Sequence, residues 1–164
     1  MLRNFLLSIT LVANVSCDQI SKEIIRQKME YHVPITFVKQ HLTLIKVENT
    51  GAFLSVGSAL PELLKTIILK VLPVLALCCC LIYALRAKQL SIITATGICF
   101  FAGGGIGNIY DRIVHGSVTD FAHIDFVIFQ TGIFNMADVS IVVGMILIAV
   151  NSFSRQDQLR NLFG

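Results

Sequence analysis

Two aspartates stand beside apolar runs in this sequence. Asp120 lies in Gly116-Ser117-Val118-Thr119-Asp120-Phe121. Asp138 lies in Phe134-Asn135-Met136-Ala137-Asp138, immediately before the apolar run Val139 to Val150. A charged side chain at bilayer depth costs roughly 2.5–3.5 kcal/mol even on permissive insertion scales, so groups retained there tend to be used. Two carboxylates brought together do not readily both ionise, and one keeps a proton. Such a pair supplies a general acid and a general base at once, the chemistry of an aspartyl hydrolase at a membrane surface. The residues leave a second use open. Intramembrane carboxylates also serve as proton or cation sites in transporters and channel components. Many transporters are built from internal repeats, and this sequence shows none.

Other chemistries fit the residues less well. His32, His41, His115 and His123 form no HExxH pattern, so a zinc protease is not expected. Cys78, Cys79 and Cys80 are consecutive in an apolar run, Cys99 lies in another, and no metal-type CxxC pair occurs. No metal or other cofactor is expected. Gly103, Gly104, Gly105 and Gly107 resemble a phosphate loop only superficially, without the closing Gly-Lys-Ser/Thr. Ser21 and Lys22 are sequential and so point about 100° apart on a helix, unlike a serine-lysine catalytic pair. The net charge of +3 is small and scattered. With no aromatic-basic stripe to stack bases, a nucleic-acid partner is excluded.

The elements that must position the aspartates are apolar. Hydrophobic residues make up 55% of the chain and charged residues 14%, against about 25% charged in soluble domains. The mean hydropathy is +0.77. A length of 164 residues suits one domain. Apolar segments run over about 5–25, 63–85, 90–110 and 133–153. A helix needs about 20 residues to cross the hydrocarbon core. The expected fold is an α-helical integral membrane protein with four transmembrane helices. Segments two to four reach the length needed, whereas the first, about Phe5 to Cys17 in its apolar part, is short, which puts Asp18 near an interface.

With four spans, Arg3, Arg86, Lys88, Arg155 and Arg160 share one side, which the positive-inside rule makes cytoplasmic. Arg26, Lys28, Lys39 and Lys46 on the other side weaken that argument. The outer segments are then 26–62 and 111–132. Ile35-Thr36-Phe37-Val38 and His41-Leu42-Thr43-Leu44-Ile45-Lys46-Val47 are rich in β-branched residues with partial alternation. They predict a small extracytoplasmic β-sheet between helices 1 and 2. Glu48-Asn49-Thr50-Gly51 reads as a turn after it.

This topology gathers Asp18, Lys22, Asn49, Asn108, Asp111, Arg112, Asp120, Asn135 and Asp138 on one side. Asp111 and Arg112 read equally as interfacial charges. Asp138 reads equally as a carboxylate favoured near a helix N-terminus. Asp18 and Lys22 are one helical turn apart, the spacing of an intrahelical ion pair. The glycines of the third segment suit close helix packing.

Four blocks resemble the lipoprotein signal peptidase (signal peptidase II) family. They are Asp18-Gln19-Ile20-Ser21-Lys22, then Glu48-Asn49-Thr50-Gly51-Ala52-Phe53, then Gly104 to Arg112 continuing to Gly116, Val118, Asp120 and Phe121, and finally Phe134-Asn135-Met136-Ala137-Asp138. They occur in the family's order and span nearly the whole chain. One departure is visible: many members carry a second alanine where Ala52 here leads directly to Phe53. The resemblance implies a monomeric aspartyl endopeptidase of the bacterial inner membrane, with both termini cytoplasmic and the active site extracytoplasmic. Its partners would be membrane lipids and prolipoproteins, cut just before a diacylglyceryl-modified cysteine. Carried over by motif, Asp120 and Asp138 are the catalytic pair. Asn49, Asn108, Arg112 and Asn135 would hold the substrate backbone or steady the pair. Gly51 would permit a tight turn over the substrate and Phe53 would cover it. Asp18 and Lys22 would brace the mouth of the site. Val15-Ser16-Cys17 also resembles a lipidation signal, but Asn14 stands where a leucine-like residue is expected and three spans follow.

Overall fold

The computed structural model describes residues 1–37, 41–52, 56–126 and 128–163, with side chains through residue 154. Phe53 and Val38 lie outside the described residues. Among the described residues there are four helices and three short strands. Helix α1 covers Leu2–Lys28, strand β1 Ile35–Phe37, strand β2 Leu42–Asn49 and helix α2 Glu62–Arg86. Helix α3 covers Ile92–Val114, strand β3 Val118–Ile124 and helix α4 Met136–Phe163.

Local sequence explains the helix boundaries. Ser91 caps α3, its Oγ accepting from the Thr94 N–H at 3.1 Å, which satisfies an orphan donor of the first turn. Asn135 and Asp138 cap α4 reciprocally. The Asp138 N–H donates to Asn135 Oδ1 at 3.1 Å, and the Asn135 N–H donates to Asp138 Oδ2 at 3.1 Å. Inside α2, a π turn occupies Ile67–Val71, and the Leu72 N–H reaches back to the Ile67 carbonyl. The turn ends just ahead of Pro73, whose ring removes a helix donor and crowds the preceding turn.

Three helical stretches among the described residues are long and apolar enough to cross a membrane: Glu62–Arg86, Ile92–Val114 and Met136–Ser154. Helix α1 has the length, with 27 residues, but its second half carries Asp18, Lys22, Glu23 and Arg26. Many large apolar side chains of the helices stay exposed, among them Phe5, Leu63, Leu75, Ile146 and Val150. That arrangement is the inverse of a soluble fold and matches a lipid-facing surface.

Helix α3 is central and packs on the other three helices. Its glycines are what allow this. A Cβ on Gly97 would lie 2.9 Å from the Gly144 carbonyl of α4, and one on Gly103 would lie 2.8 Å from Asn14 Cβ of α1. A Cβ on Gly104 would strike the Ala137 carbonyl, and one on Gly107 the Asp18 carboxylate. The helix-packing role expected of this cluster is therefore met.

The sheet is antiparallel in the order β1-β2-β3. Strands β1 and β2 lie in the segment between helices 1 and 2, as expected, and a third strand from elsewhere in the chain joins them. The third strand comes from the segment between α3 and α4 and pairs with β2, Glu48 opposite Thr119 and Val47 opposite Asp120. Pairing with β3 covers an edge of β2 that would otherwise present unpaired backbone groups. Two boundaries also shift. Helix α3 runs on to Val114, so Asp111 and Arg112 are helical rather than in a loop. Helix α4 begins at Met136 rather than about 133, because Phe134 bonds to Ala122 of β3 through both its N–H and its carbonyl, each at 2.8 Å.

Candidate active site

Asp120 is held at the middle of β3, beside an irregularity in the ladder. Pairing slips between Leu44 and Val47 of β2, and such a bulge bends the strand and re-aims nearby side chains. The bulge is pinned from outside. Lys46 donates to the Arg26 carbonyl at 3.0 Å, and its ammonium lies 4.0 Å from the Tyr31 ring centroid.

Two amides grip the Asp120 carboxylate. Asn49 Nδ2 donates to Oδ2 at 3.0 Å, and Asn135 Nδ2 donates to Oδ1 at 2.6 Å. Neither amide is free to turn over. Asn49 Oδ1 already accepts from the Gly51 N–H at 3.0 Å, and Asn135 Oδ1 accepts from Asp138. Each therefore presents its donor end to Asp120.

Asp138 is held by the same logic from the first turn of α4. Its Oδ2 accepts from the Asn135 backbone, and its Oδ1 accepts from Asn108 Nδ2 at 3.0 Å. Asn108 Oδ1 in turn accepts from Lys22 Nζ at 2.9 Å and from Asn135 Nδ2 at 3.2 Å. Asn135 thus binds both carboxylates, one through its side chain and one through its backbone.

Beneath the pair lies a buried ionic cluster. Lys22 Nζ sits 2.8 Å from both Asp18 Oδ2 and Asp111 Oδ2, and all three side chains are fully buried. The Asp18–Lys22 pairing expected from their spacing is present. Asp18 also accepts from the Ala137 N–H at 2.9 Å, so α1 caps α4. Asp111 is no interfacial charge: besides Lys22 it faces Arg26 at 3.0 Å. Arg112 does not pair with Asp111. Its Nη2 donates to the Gly51 carbonyl at 2.7 Å and its Nη1 to the Asn108 carbonyl at 3.2 Å, tying the loop after β2 to α3. Ser21 Oγ bonds to the Asp18 carbonyl at 2.8 Å while Lys22 is engaged by carboxylates, so the two form no catalytic pair.

Both aspartates open onto one cavity of about 710 Å³. Asn49, Asn108 and Arg112 share its polar end with them. The rest is hydrocarbon. Ile68, Leu69 and Leu77 of α2 form one wall, Ile141 and Met145 of α4 face them, and Phe101 and Gly105 of α3 lie between. Burial, opposed by hydrogen bonds from Asn49 and Asn135 and reinforced by the charge of Asp138, pushes the Asp120 carboxyl up to about 6. A carboxyl in this state keeps its proton up to about pH 6, well above the ordinary carboxylate range.

Several participants were not singled out from the sequence. Arg26, Glu48 and Thr119 form one connected group behind β3, and Gln19 Nε2 reaches Asp18 Oδ2 and Asp111 Oδ1 at 3.0 and 3.1 Å. Asp18, Lys22 and Arg26 do recur every four residues, one stripe of a helix. That spacing was the available signal.

A family model described as signal peptidase (SPase) II matches residues 10–154. The lipoprotein signal peptidase of Aquifex aeolicus is 32% identical, covering 88% of this chain and 84% of its own length. That of Borreliella afzelii is 32% identical, covering 91% and 90% respectively. Two bacterial membrane enzymes solved by the in meso method share the fold. One aligns with TM-score 0.82 at 24% identity over 93% of this chain and 90% of its own, the other with TM-score 0.78 at 25% identity over 88% and 90%.

Proposed function

This chain belongs to the signal peptidase II family, a bacterial membrane-embedded protease, and we propose that it removes signal peptides from prolipoproteins by an aspartyl mechanism. The observation that carries the reading is the joining of Asp120 and Asp138 through Asn135 at the polar end of an apolar cavity.

The pair works with one proton between its members. Asp120 holds it, because burial and the neighbouring charge raise its carboxyl. Asp138, in the first turn of α4, takes a proton from water as the water oxygen bonds to the scissile carbonyl carbon. Asp120 gives its proton to the carbonyl oxygen. The tetrahedral intermediate then collapses: the C–N bond breaks, and the proton held by Asp138 passes to the leaving amine. As the carbonyl re-forms, a hydroxyl proton of the intermediate returns to Asp120, so the pair recovers its single proton, and the released peptide's new carboxyl ionises in water. Because four donors already fix the two carboxylates, little reorganisation is needed during reaction.

The cavity suits a substrate that is itself lipid-bound. Helices α2 and α4 face one another across it, with α3 behind. A diacylglyceryl-cysteine enters laterally between α2 and α4 with its acyl chains still in lipid, and the cut falls just before that cysteine. In this reading helix α1 is a fourth span, with the sheet and the pair on the extracytoplasmic side of the inner membrane and both termini in the cytoplasm. One copy of the chain supplies every group used, so the working unit is a monomer.

The test is cleavage of a diacylglyceryl-modified prolipoprotein by the purified protein, read by mass. Release of the signal peptide from the lipidated precursor, and not from an unlipidated one, supports the reading. Equal cleavage of both, or of neither, sinks it.

A further inference from the structure

The strand that carries Asp120 is fastened from behind by a second polar group. Thr119 precedes Asp120 and points to the opposite face of β3, as strand alternation requires. Its side chain is fully buried. Arg26 Nε donates to Thr119 Oγ1 at 2.9 Å, and Thr119 Oγ1 donates to Glu48 Oε1 at 2.8 Å. Ser117 Oγ donates to the other oxygen, Glu48 Oε2, at 2.5 Å. Arg26 Nη2 lies 3.0 Å from Asp111 Oδ1, an ion pair to α3. One guanidinium therefore joins α1, α3 and β3, and one carboxylate staples β2 to two residues just before Asp120.

We propose that Arg26 and Glu48 form a positioning clamp that fixes β3 against the helices and so sets where the Asp120 carboxylate meets Asp138. The inference rests on the aspartyl reading above. Neither residue contacts Asp120 itself, so neither is catalytic. The clamp acts through Thr119 and Ser117 on the backbone.

Fold stability alone is a poor reason for this arrangement. Buried ion pairs replaced by well-packed apolar residues are often neutral or stabilising, because desolvation offsets the attraction. The Arg26 side chain is only 15% exposed and Asp111 fully buried, so both are desolvated. What such a pair provides is fixed geometry, and geometry is what a two-carboxylate site needs. A misplacement of about 1 Å can cost roughly a hundredfold in rate. The opposite face of β3 gives the clamp its target. Asp120 is bound there by Asn49 and Asn135, which sit on two different elements, β2 and the start of α4. A strand free to lift would keep one of these bonds and stretch the other. The charged groups that act on Asp120 are Asp138 on α4, Arg112 on α3 and Lys22 on α1, and all three belong to the helical side of the site.

The experiment compares Arg26→Met, Arg26→Lys and Thr119→Val with the parent protein in lipid nanodiscs, using a diacylglyceryl-modified prolipoprotein. Thermal unfolding, kcat, KM and the pH dependence of kcat/KM are recorded for each. The clamp predicts that Arg26→Met and Thr119→Val lower kcat roughly 10- to 100-fold with KM within about twofold. It also predicts that the high-pH fall in kcat/KM begins at lower pH, because a loosened Asp120 is better hydrated. Arg26→Lys, which keeps the charge but reaches one partner at a time, recovers part of kcat. Thr119→Val is nearly isosteric, so it reports even where Arg26→Met does not fold. Parent-like kcat and an unshifted pH profile in Thr119→Val, whatever happens to thermal stability, overturn the proposal. Asp120→Asn in the same assay separates the two readings. If it still cleaves, the aspartyl mechanism fails and the clamp with it. If it is inactive while Thr119→Val matches the parent, only the clamp fails.

Discussion

Lys22 donates to Asn108 Oδ1 at 2.9 Å, and that bond decides which end of the Asn108 amide faces Asp138. The lysine is fully buried, yet it touches neither carboxylate of the pair. Its charge is matched by Asp18 and Asp111. The site therefore rests on a layered arrangement: an ionic cluster orients an asparagine, and the asparagine orients an aspartate.

Replacing Lys22 with methionine should be severe. Two buried carboxylates would lose their shared partner, and breaking a buried pair in this way costs about 3–5 kcal/mol. Thermal unfolding in detergent should show a large drop, and cleavage should fall with it. Asp18→Asn combined with Lys22→Met should recover part of the stability, because it removes one of the uncompensated charges. A Lys22→Met variant as stable as the parent would contradict the layered arrangement.

Asn135 allows capping and catalysis to be separated. Asn135→Ser keeps a side-chain acceptor for the Asp138 N–H, and serine caps helices about as well as asparagine. It removes the donor to Asp120 and the bond to Asn108. Thermal stability should fall by about 1–3 kcal/mol, because acceptors on Asp120 and Asn108 lose a donor, while kcat falls roughly a hundredfold. Lost stability with a parent-like kcat would mean that Asn135 serves only the helix.

The glycines of α3 should differ according to what they face. A Cβ at Gly104 meets the Ala137 carbonyl, which is backbone and cannot swing aside. Gly104→Ala should push the first turn of α4 away, costing about 1–3 kcal/mol, and should displace Asp138 enough to lower kcat. A Cβ at Gly105 meets Leu77 Cδ1 at 2.7 Å, the end of a flexible side chain. Gly105→Ala should be milder in stability and act mainly on KM by narrowing the cavity. Unfolding curves and steady-state kinetics on the two variants check the contrast.

Asp120 makes the rate depend on pH in a stated direction. Its carboxyl is raised to about 6, mainly by burial, so it keeps its proton until the pH passes that value. If that proton is the catalytic acid, kcat/KM falls as pH rises through about 6, since this ratio reports the free enzyme. Substrate in the cavity excludes water and carries the corresponding fall in kcat to higher pH. Stability follows the same sign. A carboxyl whose folded value exceeds its unfolded one contributes stability that is present below the ordinary value of 3.8 and lost as pH rises through about 6. A kcat/KM that rises across this window would contradict the role given to Asp120.

Much of the site was legible because its residues stand in short local patterns. Asn135 and Asp138 are three apart at the head of an apolar run, which is both a capping signature and half of the carboxylate pair. Asp18 and Lys22 are one turn apart on α1, and they do meet. The third strand was missed for a physical reason. Val118 to Ile124 shows no clean apolar-polar alternation, its partner is β2, far earlier in the chain, and pairing at that distance leaves no local mark. The same long range hid Arg26, whose partners Asp111 and Thr119 become neighbours only when α1 packs on α3 and β3 closes over both. The apolar run of helix α1 is short before Asp18, and the polar half that follows it is occupied by the ionic cluster beneath the pair.

The most direct test replaces Asp120 and Asp138 singly with asparagine and measures both binding and cleavage of a diacylglyceryl-modified prolipoprotein. The account predicts that each variant binds the substrate and neither releases the signal peptide. Cleavage by either variant at near the parent rate would contradict the two-carboxylate mechanism.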